Sequence, residues 1–205
     1  MQDNQSPNLN ETELNPDPIA QLESWINAAK KAGQIEPTAM NLATIGPDGK
    51  PRARMVLFKG FHEHGICFYT DYEGAKGQEL SANGDVALTF WWDRLERQVR
   101  VEGTARRLSR EMSEQYFHSR PRKSQLGAMT SHQSRVVDSR ETLEARYARN
   151  EAAMEGKEIP LPERWGGFVV APCVFEFWQG RRSRLHDRLR YQQQGGTWVI
   201  DRLEP

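Results

Sequence analysis

Residues 175–188 read Phe-Glu-Phe-Trp-Gln-Gly-Arg-Arg-Ser-Arg-Leu-His-Asp-Arg, an aromatic start followed by a burst of charge. Val174, Phe175 and Phe177 set β-branched and aromatic bulk at strand spacing, which suits one face of a pleated sheet. Gln179 and Gly180 end that pattern, and four arginines, a histidine and an aspartate follow within nine positions. A solvated basic turn between two strands is one reading of the tail. The alternation of Arg184, His186 and Arg188 favours another: on a strand these three side chains leave one face, with Leu185 and Asp187 on the other. Two guanidinium groups flanking an imidazole suit an anionic, electron-rich ligand.

Around this stretch, the composition sets broad bounds. A chain of 205 residues with 37% apolar residues fits one sizeable domain with a core. The 28 basic and 28 acidic residues cancel, which gives no case for nucleic acid or an anionic membrane surface as partner. Apolar runs fall short of membrane-spanning length, and the polar N-terminus lacks the apolar core of a signal peptide, so a cytoplasmic protein is expected. Cys67 and Cys173 lie in separate apolar, strand-like runs, which predicts buried thiols rather than a disulfide or a metal site.

The order of elements points to an α+β, mainly β, domain. Residues 1–15 are polar and predict a disordered arm, with the folded domain at 16–205. Ile19, Leu22, Trp25, Ile26 and Ala29 recur at helical spacing, between an Asp17 cap and a Gly33 stop, and this helix is expected over one end of a barrel. Residues 40–45, 52–58, 65–70, 86–92 and 98–108 read as consecutive strands joined mostly by short turns, an antiparallel barrel pattern. A short helix is expected at 75–82, and covering helices from 109 to about 155. Strands return at 166–178, 184–191 and 197–202. Strands, helices, then strands again argue for one domain rather than two.

Several polar residues stand outside this plan. In Arg54-Met-Val-Leu-Phe-Lys59 an apolar run marks a buried strand with a cation at each end; exposed strand-end charges are the plain alternative. Lys76 lies at the start of the 75–82 helix, where free N–H groups make an anion site, a weak signal by itself. Gln98 and the Gln133-Ser134 pair read equally as solvated polar residues. Tyr116, Arg120 and Ser124 are each four apart, so on one helix they share a face, and a phenol, a guanidinium and a hydroxyl would suit a phosphate monoester.

The run at 175–188 closely resembles the C-terminal signature of the pyridoxine/pyridoxamine 5'-phosphate oxidases, and the similarity extends from about residue 18 to the closing Trp-Val-Ile-Asp-Arg-Leu-Glu-Pro. The resemblance implies an antiparallel Greek-key split β-barrel with covering helices that binds flavin mononucleotide (FMN), as a homodimer with FMN sites at the interface and no metal. It implies FMN contacts from Arg54, Met55, Val56, Leu57, Phe58, Lys59, Tyr69, Thr70, Lys76, Gln98, Trp178 and Arg188, and from Gln133 and Ser134 across the interface. Lys59, Tyr116, Arg120 and Ser124 would hold the substrate phosphate, and Arg184 and His186 would act at the reacting end as catalytic and substrate-binding residues. The implied reaction oxidises pyridoxamine or pyridoxine 5'-phosphate to pyridoxal 5'-phosphate by hydride transfer to FMN, with dioxygen reoxidising the flavin and yielding peroxide. Two departures stand out: Ala75-Lys76 replaces the family's Arg-Lys pair, and residues 1–15 lack its Arg-x-x-Tyr element. They keep two rival readings open, a split-barrel oxidoreductase for another substrate and a non-catalytic binder of FMN or vitamin B6.

Overall fold

Alternating burial builds the sheet in the computed structural model, which describes residues 9–205. β1 (Ala39–Ile45) buries Met40, Leu42 and Thr44 on one face. It pairs with β2 (Pro51–Leu57), an edge strand leading through β3 (Phe61–His62) into β4 (Gly65–Asp71). β5 (Asp85–Trp92) and β6 (Arg97–Arg107) follow, and β7 (Trp165–Gln179), β8 (Asp187–Gln194) and β9 (Thr197–Arg202) close the chain. The order is β2-β1-β5-β6-β7-β4-β3, with β8 on β7 and β9 on β8, and every pairing is antiparallel.

The two ends of this path meet. Lys59 N–H donates to Cys67 O and Cys67 N–H to Gly60 O, each at 2.9 Å, joining the end of β2 to β4. Among the described residues β2 has no other backbone bond to β4, so the barrel stays open beside Arg54–Leu57. At the opposite wall Gly103 lets β6 press on β7: a Cβ there would stand 2.3 Å from Ala171 O, where the register shifts.

Helix α1 (Pro18–Lys31) begins with Asp17 Oδ1 accepting from Ile19 N–H at 2.9 Å and is followed by Gly33 at φ +72°. It plugs the barrel as expected: Trp25 meets Phe177 edge-on at 5.1 Å and Trp92 at 6.5 Å. α2 (Ala75–Ala82) has the bounds read from the sequence. α3 (Arg110–Ser119) and α4 (Arg122–Thr130) cover the outer face of β4 and β7 through Phe117, Leu126 and Trp165, and α5 (Arg140–Ala153) lies outside them.

Four expectations need correction. Residues 9–15 are docked: Leu9 and Leu14 are buried in the main core, a 3₁₀ turn forms at Glu11–Glu13, and Tyr191 Oη donates to Asn15 O at 2.7 Å. The rest of the predicted arm, 1–8, lies outside the described residues. The strand at 184–191 begins only at Asp187, because Ser183 and Arg184 take left-handed φ values of +57° and +61° that no strand accommodates. Within the run at 55–58, Val56 and Phe58 pack on the core while Met55 and Leu57 are exposed, since β2 is an edge. Cys67 is buried, its thiol pushed up to about 11 by burial, but Cys173 is exposed, at the point where the sheet bends.

Docking of the arm generates a test. Leu14→Ala is expected to lower unfolding free energy by about 2–3 kcal/mol in urea denaturation, the cost of vacating a buried leucine site. A change near zero would mean that residues 9–15 contribute nothing to the core.

Candidate active site

Lys76, in the first turn of α2, is the centre of one cluster. Gly74 caps the helix without a side chain, so the first N–H groups have no side-chain acceptor. Lys76 Nζ donates to Gln133 Oε1 at 2.5 Å and to Thr70 Oγ1 at 3.2 Å, and Thr70 Oγ1 donates to the same amide oxygen at 2.9 Å. Burial pushes the Lys76 ammonium below its usual pKa, and the nearby charge of Arg54 adds to the effect. An anion placed here would relieve both.

The loop carrying Gln133 is held by Arg164, whose guanidinium pairs with Asp71 at 3.0 Å and donates to the carbonyls of Ala128, Met129 and Ser131 at the end of α4. Gln133 therefore reaches Lys76 within its own chain, which corrects the expectation that it arrives from a partner. Ser134 follows it, exposed and left-handed at φ +68°.

Arg54 faces the open side of the barrel but is already matched. Its guanidinium donates to Glu79 Oε2 at 2.5 Å and to Thr44 Oγ1 at 2.6 Å, and Thr44 Oγ1 donates to Glu79 at 2.6 Å. Glu79 is buried, so this carboxylate neutralises Arg54 locally. Lys76 has no carboxylate partner among the described residues. The cluster thus presents one cation without a hydrogen-bonded carboxylate, a helix N-terminus and the free edge of β2 at Met55–Leu57.

Arg120 centres a second cluster. The helical row expected for Tyr116, Arg120 and Ser124 is broken, because Arg120 is extended (ψ 151°) ahead of Pro121, which ends α3 and starts α4. The corner still keeps Tyr116 and Arg120 together. Tyr116 stacks on Tyr69 at 3.8 Å, Tyr69 on Trp165 at 5.6 Å, and the Arg120 guanidinium covers Trp165 at 4.6 Å. Burial pushes Tyr69 up to about 12 and raises Tyr116, the latter opposed by Arg120, whose own pKa burial lowers. Arg120 Nη1 is buried with no hydrogen-bond partner among the described residues. An orphaned guanidinium N–H costs about 1–3 kcal/mol or more, which an anionic acceptor would recover. Ser124 is half-buried in the first turn of α4, and Lys59 is exposed where β2 meets β4.

The motif at 181–188 forms a third cluster. His186 packs against Trp178 at 4.6 Å, and its Nδ1 accepts the Arg181 N–H at 3.0 Å. With Nδ1 an acceptor, the neutral ring carries its proton on Nε2, leaving a donor for a ligand. Arg184 is exposed in the 3₁₀ turn just before it. Arg188, the second residue of β8, is drawn to Glu176 at 2.9 Å, a hydrogen bond that raises its pKa. Gln98 lies in register between Trp91 and Trp178, on the outward face, with the two indoles 6.0 Å apart. Trp91 was not singled out from the sequence. Its place between buried Phe90 and Trp92 makes it the outward residue of β5, and an outward tryptophan is the signal that was available.

Comparisons with known proteins agree on one family. The model described as pyridoxamine 5'-phosphate oxidase matches residues 26–152, and that of the pyridoxine 5'-phosphate oxidase C-terminal dimerisation region matches 165–205. The chain is 53% identical over 198 residues to the pyridoxine/pyridoxamine 5'-phosphate oxidase of Gloeothece citriformis, covering 96% of this chain and 92% of that protein. It aligns at TM-score 0.90 and 30% identity with PhzG from Burkholderia lata in complex with tetrahydrophenazine-1-carboxylic acid, covering 97% and 98% of the two chains. An FMN binding protein from Nostoc punctiforme related to pyridoxamine 5'-phosphate oxidase shares the fold at TM-score 0.73 and 15% identity, over 97% of this chain and all of that one.

Proposed function

Because the chain belongs to the pyridoxine/pyridoxamine 5'-phosphate oxidase family, we propose that it oxidises pyridoxamine or pyridoxine 5'-phosphate to pyridoxal 5'-phosphate, with dioxygen as final acceptor and peroxide as by-product. It is an FMN-dependent oxidase of vitamin B6 metabolism. The observation that carries the substrate assignment is Arg120 Nη1, buried and partnerless beside Tyr116, in a corner built for an anionic group.

The residues present fit FMN. The uncapped start of α2 with Lys76, Thr70 and Gln133 suits its phosphate, with Arg54 alongside and Tyr69 next in sequence to Thr70. The edge of β2 at Met55–Leu57, Gln98, Trp178 and Arg188 offer backbone groups, an amide, an aromatic face and a cation to the ring system, and Ser134 adds a hydroxyl. When bound, FMN takes up the hydride and hands the electrons to dioxygen.

The chain's own residues position the substrate. Arg120, Tyr116 and Ser124, with Lys59 from the barrel seam, grip the phosphate as a handle remote from the reacting carbon. His186, with its proton held on Nε2, and Arg184 lie towards the other end of β7 from Arg120, so in the homodimer they would approach the reacting end from the opposite subunit, where a guanidinium stabilises negative charge on the pyridine oxygen. Their contribution is orientation and charge stabilisation rather than covalent chemistry.

The C-terminal dimerisation region and the exposed Met55, Leu57 and Trp91 support a homodimer with FMN at the interface. No helix among the described residues is long and apolar enough to cross a membrane.

The direct test compares pyridoxamine 5'-phosphate with unphosphorylated pyridoxamine on flavin-loaded enzyme. Loss of charge-assisted bonds to the phosphate is expected to lower kcat/KM by at least about 100-fold. Equal turnover of the two, or turnover of neither while the flavin is bound and reducible, would overturn the assignment in favour of another substrate.

Position 75 supplies a second test. Ala75 is exposed at the start of α2, and with Arg54 matched by Glu79 the pocket relies on Lys76. Ala75→Arg is expected to tighten FMN binding roughly tenfold at low salt and less at high salt, without tightening riboflavin. Equal gains for both ligands would mean that position 75 does not face the phosphate.

A further inference from the structure

The turn that presents Arg184 and His186 is strained and lies outside the strands. Ser183 and Arg184 are consecutive left-handed residues, a conformation that persists only when its surroundings hold it. What holds it is a chain of ion pairs running to the N-terminal segment. Glu11 accepts from Arg202 through both carboxylate oxygens, at 2.8 and 2.9 Å, and Arg202 also donates to Leu9 O at 2.8 Å. Arg202 Nη1 reaches Asp187 Oδ1 at 2.9 Å, and Asp187 Oδ2 accepts from Arg181 Nε at 2.6 Å and from Leu9 N–H at 3.2 Å. Arg181 closes the chain, its own N–H bonded to His186 Nδ1 at 3.0 Å.

We propose that Glu11 and Arg202 are positioning residues: residues 9–13 form a strap that, through Asp187 and Arg181, sets the orientation and tautomer of His186 and the aim of Arg184. Three features support this. Asp187 sits between the two arginines, so it links the strap to the loop directly. Burial pushes its carboxyl up, yet the bonds from Arg181, Leu9 N–H and Arg202 together bring it below the usual carboxylate range, so it stays an acceptor for all three. The Glu11–Arg202 pair is bidentate and two-fifths exposed, a setting in which an ion pair adds little to global stability. Its geometry has a clearer use in fixing the loop. Leu9 and Leu14, buried in the main core on either side of Glu11, anchor the strap at both ends.

This inference rests on the placement of Arg184 and His186 at the reacting end of the substrate. Arg202→Gln is expected to lower kcat/KM for pyridoxamine 5'-phosphate roughly tenfold or more, chiefly through kcat. FMN affinity and competitive inhibition by inorganic phosphate, which read the cofactor and phosphate handles, should change by less than about twofold. Glu11→Ala should act in the same direction, and the double variant should match Arg202→Gln alone, because Glu11 works only through Arg202. Arg202→Lys, which retains one donor to Asp187, should recover part of the lost kcat. Unchanged kcat in both single variants, independent multiplying effects, or a loss matched by lost flavin would overturn the strap. His186→Ala in the same assay separates the two levels. If it is silent, the assignment of His186 fails; if it is impaired while Arg202→Gln is not, the strap alone fails.

Discussion

β7 pairs with three strands at once, and the layout of the molecule follows from how it does so. Its first part, Trp165–Val170, runs beside β4, its last part, Val174–Gln179, beside β8, and β6 accompanies most of both. A strand has only two edges, so β4 and β8 can share one only if they succeed each other along it. The change-over falls at Ala171-Pro172-Cys173, where proline has no N–H to leave unpaired and Gly103 on β6 lets the backbones close up. One end of β7 then lies next to Tyr69 and Thr70, and the other presents Trp178 beside Gln98 and Arg188. β7 thus carries the Tyr69–Trp165 stack at one end and the Trp178–His186 contact at the other.

Charge in these clusters is handled in two ways. Where a guanidinium serves the architecture it is matched: Arg54 by Glu79, Arg164 by Asp71, Arg188 by Glu176. Where a ligand is to be held, a cation is left short of partners, as with Lys76 at the start of α2 and Nη1 of Arg120 over Trp165. Burial disfavours both cations, so an arriving phosphate gains what the empty arrangement lacks. In the proposed reading the two phosphate handles leave the turn at 181–186 for the reacting atoms, and that turn is lined by ion pairs of Asp187 with Arg181 and Arg202.

Much of this was legible in the residues. The limits of α2 coincide with the sequence reading, and most barrel strands fall within a residue or two, because apolar alternation and turn residues coincide there; β8 lies three residues further on, and the two-residue β3 was not read. Tyr116, Arg120 and Ser124 were picked out by helical spacing and by the family resemblance; the helical row was wrong, because Pro121 forces a bend, yet the bend keeps Tyr116 and Arg120 close together. The turn at 181–186 was misread because Arg184, His186 and Arg188 mimic a two-residue period with no apolar face to set it. Glu79 and Asp187 were passed over, since a buried carboxylate shows its role only through a partner remote in the chain. The docked Leu9 and Leu14 are two leucines in a polar stretch, too few to register as a pattern.

On the proposed function, a phosphate handle at Arg120 delivers a B6 vitamer to bound FMN in an orientation fit for hydride transfer. Mixing flavin-loaded protein with pyridoxine 5'-phosphate in the absence of oxygen, and following the visible flavin absorbance, observes that step by itself. Rapid bleaching that saturates with substrate is expected, with the yellow colour restored on admitting air and a shift to much higher substrate concentration in Arg120→Ala. Bleaching that is indifferent to Arg120, or a flavin that stays oxidised at saturating substrate, would contradict it.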